Sequence, residues 1–65
     1  PNPAKDVLII DGIYNSVNIY DVFGKLVLTT KSQKSIDITK LSNGVYMLEI
    51  NTGNAFKTKK ITIAK

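Results

Sequence analysis

The chain has 65 residues and a net charge of +4, from nine lysines set against four aspartates and one glutamate, with no arginine, histidine or cysteine. That length makes one small domain, which buries only about 60% of its unfolded surface and draws roughly 3–5 kcal/mol from its core. No disulfide can staple it, no thiolate or imidazole can ligate a metal, and no cofactor is expected.

Lysine lacks the bidentate fork that arginine offers to phosphate or guanine. The basic balance is therefore weak grounds for nucleic-acid binding and fair grounds for solubility. No apolar run approaches the ~20 residues of a membrane span. The opening Pro1-Asn2-Pro3 has neither the basic start nor the apolar region of a signal peptide. A chain that opens without methionine is expected to be a piece processed from something longer.

In chain order, residues 1–5 read as the end of a linker leading into a domain, because each proline fixes φ and Asn2 is pushed away from helix. Asp6 to Ile10 reads as a first strand, with Leu8 and Ile10 in the core and Val7 and Ile9 partly covered; the opposite register is nearly as good. Asp11-Gly12 is a turn signal. Ile13 to Ser16 reads equally as loop or short edge strand. Val17 to Asp21 is a strand with Val17 and Ile19 on one face. Asp21-Val22-Phe23-Gly24 makes a tight hairpin turn, its glycine placed where a positive φ is expected. Lys25 to Thr30 is the returning strand, and Lys31 to Lys34 a polar loop.

Ser35 to Ile38 is a short strand presenting Ile36 and Ile38, followed by Leu41 as a plug for the core. Leu41 to Ile50 holds the clearest alternation: Gly44, Tyr46, Leu48 and Ile50 on one face, Val45, Met47 and Glu49 on the other. It reads as the central strand. Asn51 to Asn54 is another hairpin turn, and Ala55 to Ala64 the last strand. Phe56, Thr58, Lys60 and Thr62 share one of its faces, with Phe56 expected in the core. Lys57, Lys59 and Lys60 protect this strand from unwanted edge pairing. Nothing reads as helix. Strands recurring about every eight to twelve residues between Gly, Asn and Asp turns predict an all-β fold, a small antiparallel β-sandwich of about six to seven short strands.

The residues speak against catalysis. The acids are Asp6, Asp11, Asp21, Asp37 and Glu49; a carboxylate pair could hydrolyse a glycoside, but so small a domain has little room for a cleft of about 300 Å³, and each acid has an ordinary turn or surface reading. Asp11-Gly12 with Asn15 is too sparse for a calcium loop. Lys57 to Lys60 beside Phe56 and Tyr14 could serve as a basic strand with stacking rings for single-stranded nucleic acid; a solvated lysine face beside a core phenylalanine is the plainer reading. Lys60 shares its face with Phe56, so it either runs its stem out to solvent or takes part in recognition.

Taken together, Pro1 to Ile10, Val17 to Val27, Ile36 to Tyr46 and Lys59-Lys60-Ile61 resemble, in order and spacing, the C-terminal sorting domain of the type IX (Por) secretion system. The likeness spans essentially the whole chain, and the ordered set is specific where no single piece is. It implies an Ig-like sandwich at the C-terminus of proteins exported by Gram-negative bacteria, acting as an address and not as an enzyme. The implied partners are a covalently linked N-terminal cargo protein, the outer-membrane translocon, and a surface sortase that removes the domain at a site upstream of Pro1. The implied route runs through the periplasm to the outer membrane, cell surface or medium. By position, the family's recognition or fold-signature residues fall on Pro3, Asp6, Gly24, Gly44, Tyr46 and Lys60. The rival is a structural or carbohydrate-binding Ig-like module of a cell-surface protein. The short connection from Asp11 to Ser16 departs from the comfortable pattern, since it limits how many strands the first half can hold.

Overall fold

Each alternating apolar run of the sequence becomes a strand in the computed structural model, which describes residues 6–10, 12–33 and 35–65. The linker reading of Pro1-Asn2-Pro3, the candidate residue Pro3, and Asp11 of the first turn lie outside the described residues. The strands are β1 (Val7–Leu8), β2 (Ser16–Tyr20), β3 (Leu26–Lys31), β4 (Ile36–Asp37), β5 (Gly44–Asn51) and β6 (Phe56–Ile63), with no helix among the described residues. They form a four-stranded sheet in the order β3-β2-β5-β6 and a two-stranded sheet of β1 and β4. All pairings are antiparallel.

Side-chain alternation sends one face of each strand into a single core. Val17 and Ile19 from β2, Tyr46, Leu48 and Ile50 from β5, and Ile61 and Ile63 from β6 meet Leu8, Ile36, Ile38 and Leu41 from the other layer. The register places Ile19 opposite Leu48 and Val17 opposite Ile50, with Tyr46 opposite Ile61. These cross-strand apolar pairs fix the register, because a slip by one residue would turn every one of them to solvent. As the sequence suggests, β5 lies between two neighbours, and Leu41 plugs the core from the turn before it.

The structure corrects two sequence expectations. Phe56 is 65% exposed: in β6 the period of two lets one face turn inward, and the face carrying Ile61 and Ile63 takes that place. Phe56 and Lys60 therefore sit on the outer face, while Lys57 and Lys59 lie on the inner side, beyond the cover of the second sheet. The Lys59 stem lines a small hollow with Leu8, Ile10, Leu48 and Ile61, so its methylenes cover apolar surface while the residue stays exposed. In β1, Leu8 is buried and Ile10 half-buried as expected, but Val7 and Ile9 are exposed. Among the described residues β1 pairs with the two-residue β4 alone, which leaves their side open.

Residues 13–15 are loop, yet Asn15 extends both ladders: its N–H donates to the Asn51 carbonyl at 2.7 Å and its carbonyl accepts from the Ser32 N–H at 2.8 Å. Tyr14 is buried, and its hydroxyl donates to the Gln33 carbonyl at 2.7 Å and accepts from the Gln33 N–H at 3.2 Å. The ring that might have stacked on a base instead staples two loops together.

Candidate functional site

One end of the four-stranded sheet gathers four of the six residues singled out from the sequence. The β2–β3 hairpin, the start of β5 and the second half of β6 meet there, bringing together Gly24, Gly44, Tyr46 and Lys60 around two adjoining grooves. Asp6 is elsewhere. It precedes β1, its carbonyl accepts from the Ile38 N–H at 3.0 Å, its side chain is exposed, and it lines neither groove.

The hairpin is held by its own aspartate. Asp21 Oδ1 accepts from the N–H groups of Phe23 at 2.9 Å and Lys25 at 3.0 Å. The Gly24 N–H donates to the Asp21 carbonyl at 3.0 Å, and the Asp21 N–H to the Lys25 carbonyl at 2.9 Å. Gly24 has φ +81°, the left-handed region that a side chain disfavours. Asp21 thus locks a tip on which Val22 is 68% and Phe23 92% exposed.

On the other side of the grooves, the Tyr46 ring is buried while its hydroxyl donates to the Ser42 carbonyl at 2.7 Å, with Ser42 Oγ at 3.4 Å. A tyrosine tied back to the chain a few residues upstream is the corner device of many β-sandwiches; here it fixes the angle at which the 39–43 turn enters β5. Tyr46→Phe removes the bond and leaves the ring. The expected loss is about 1 kcal/mol, read as a lower urea midpoint with an unchanged slope.

The 39–43 turn is itself tied down. Asp37 Oδ1 accepts from the Thr39 N–H at 2.9 Å and the Thr39 hydroxyl at 2.7 Å. Lys65 donates its N–H to Asn43 Oδ1 at 3.0 Å and its ammonium to the Thr39 carbonyl at 2.6 Å. The Thr39 backbone N–H first, then the Thr39 hydroxyl, with Lys40 and Lys65 adding to them, holds the Asp37 carboxyl below its ordinary 3.8. A depressed carboxyl stabilises the fold above the unfolded-state value and ceases to do so as pH falls through the folded one. Thermal melts of wild type and Asp37→Asn are therefore expected to differ at pH 6 and to converge as the pH falls below about 4.

The outer face divides in two. Thr29 Oγ1 donates to Asn18 Oδ1 at 2.6 Å, and Asn18 Nδ2 to Glu49 Oε1 at 3.1 Å, a polar ladder across β3, β2 and β5. Towards the hairpin lie Tyr20, Val45, Met47 and Lys60, lining a shallow groove of about 500 Å³ with Val22 and Gly24. Lys60 stands opposite Met47 in the register and is exposed. A second groove of about 590 Å³ runs beyond the tip, lined among others by Phe23, Val27, Lys40, Leu41 and Gly44.

Three of the described acids are engaged in local hydrogen bonds. The carboxylates of Asp21 and Asp37 serve their own turns and that of Glu49 serves Asn18. Among the described residues no three acids gather to hold a metal ion, and no helix is long and apolar enough to cross a membrane. Sequence reasoning missed Val22, Phe23 and Lys40. The signal was present: a valine and a phenylalanine in the middle of a turn, where polar residues are the rule.

Comparison with known protein families matches residues 1–64 to the secretion system C-terminal sorting domain. The match covers all but the last residue, and the chain belongs to this family: it is the C-terminal sorting signal of a type IX secretion cargo. That membership implies attachment to a cargo protein, engagement with the secretion machinery, and export towards the outer membrane, the cell surface or the medium. The family is not known for enzymatic activity. No curated protein and no solved structure matches the chain.

Proposed function

We propose that residues 1–65 act as one folded address, with residues 1–5 joining it to the cargo, that the outer-membrane translocon reads after the cargo has reached the periplasm. A surface sortase then removes it upstream of Pro1. The observation that carries this reading is the family match over residues 1–64. In support, a small sheet closed on its own core, with Asp21 and Asp37 engaged in turns, is suited to being recognised and discarded. The buried Tyr14 and the absence of arginine speak against nucleic acid.

Within this reading, Gly24, Gly44 and Tyr46 shape the recognised end of the sheet, and Pro3 and Asp6 belong to the approach from the cargo. Lys60 is the candidate that meets the receptor. Its exposed outer-face position carries no packing duty, so Lys60→Ala is expected to reduce export of a fused passenger while leaving the melting temperature within about 4 °C. The test compares passenger at the cell surface and in the medium in strains with and without the secretion system. Equal export in both strains would refute the sorting role, and equal export of Lys60→Ala would return Lys60 to the status of a solvated edge residue.

A further inference from the structure

The side chains of Phe23 and Val22 stand outside the core. Phe23 is the more exposed of the two, at the tip of a hairpin that Asp21 braces with two side-chain hydrogen bonds. An aromatic left in water on a flexible loop would be unremarkable. Here the loop is stiff, the tip stands between two grooves, and the surface around it is apolar: Val22, Val45 and Met47 are exposed beside it. A lysine borders each groove, Lys60 on one side and Lys40 on the other, and Lys25 follows the tip directly. Among the described residues the only acid lining either groove is Asp21, whose Oδ1 is turned back onto the backbone.

We propose that the Val22–Phe23 tip is the anchor by which the domain is captured, and that its partner is a protein of the secretion machinery offering an apolar pocket rimmed by carboxylates. The proposal rests on the sorting role and names the surface and the partner chemistry that serve it. A pre-stiffened aromatic enters a pocket with little loss of conformational freedom, and buried aromatics at the centre of an interface carry most of its binding energy. The surrounding lysines make the contact selective for acidic rims and repel a second copy of the same end. A shaped protein surface can fill the two grooves flanking the tip, which a fluid bilayer cannot do, so the geometry favours a protein over a lipid.

The test uses the parent cargo carrying the domain. Phe23→Ser is expected to lower export on the order of tenfold or more with an unchanged melting temperature for the domain, and Phe23→Leu to retain most of it. Reversing Lys25, Lys40 and Lys60 to glutamate together is expected to reduce export, and changing all three to arginine to preserve it. A photo-cross-linking residue at position 23 is expected to capture an identified component of the secretion machinery, and one at Thr58 not to. Export of Phe23→Ser at the wild-type level, with the wild type itself dependent on the secretion system, would overturn the proposal and leave the sorting role intact. Wild-type export that ignores the secretion system would instead remove the sorting role. Indifference to charge reversal would overturn the carboxylate rim. Co-sedimentation of the purified cargo with anionic phospholipid vesicles, abolished by Phe23→Ser, would make the partner a membrane and overturn the protein pocket.

Discussion

Leu48→Ala is expected to leave the domain mostly unfolded at room temperature. Leu48 is 1% exposed, lies midway along β5, faces Ile19 of β2 across the register, and is backed by the inner residues of β1 and β4. Truncating a buried leucine costs about 2–5 kcal/mol, through lost transfer energy and an unfilled cavity. A core of this size supplies roughly the same amount in total. The neighbouring Met47 is 43% exposed on the opposite face, so Met47→Ala should cost well under about 1 kcal/mol. Far-ultraviolet circular dichroism and urea titration of the pair will show the contrast. A folded Leu48→Ala with a midpoint close to wild type would mean that β5 is not the strand on which the core depends. Because a sorting role needs the fold, export of a passenger should fail with Leu48→Ala.

Gly44→Val is the second large effect, and its origin is separable from crowding. Gly44 opens β5 at φ +155°, a conformation essentially reserved for glycine, and forcing another residue into it costs about 1–3 kcal/mol. Space is not the obstacle: a Cβ built there meets nothing nearer than the Tyr46 ring at 3.8 Å. Gly44→Ala is therefore expected to destabilise nearly as much as Gly44→Val, whereas D-alanine, introduced by chemical synthesis of the chain, should be tolerated. If valine proved far worse than alanine, crowding would be the cause after all. Relaxing the backbone here would also shift Tyr46 and loosen its bond to Ser42, so both grooves would change shape together.

Much of this architecture is visible in the residue pattern, for a specific reason. Val17/Ile19, Ile36/Ile38 and Tyr46/Leu48/Ile50 alternate cleanly with polar or weakly apolar neighbours, so period two assigns both the strand and its buried face. Gly24 and Gly44 were legible because tight returns need backbone freedom. The pattern fails where it is degenerate. Val7 to Ile10 is apolar at every position, so only the tertiary partner decides which side is covered and where pairing stops. In β6 one face offers an aromatic and the other two isoleucines, and the core takes the isoleucines, Ile61 opposite Tyr46, over the larger ring. Tyr14 was unreadable because its partner, the Gln33 backbone, carries no side-chain signal. The convergence of Gly24, Gly44, Tyr46 and Lys60 depends on β2 and β5 being neighbours, and no local stretch of sequence records that.

The same strand order has a consequence in time. β2 pairs with β5 across about half the chain, and β1 waits for β4, so the two local hairpins, β2–β3 and β5–β6, join into one sheet only when distant residues meet. Folds built on such distant pairings assemble in roughly milliseconds to seconds, after most of the chain is present. A ribosome that stalls, or a protease that clips the end, leaves β5 without its partner β6 and the groove beside the hairpin tip without Lys60. If the secretion machinery reads this end of the sheet, arrival of the last strand becomes a condition of export.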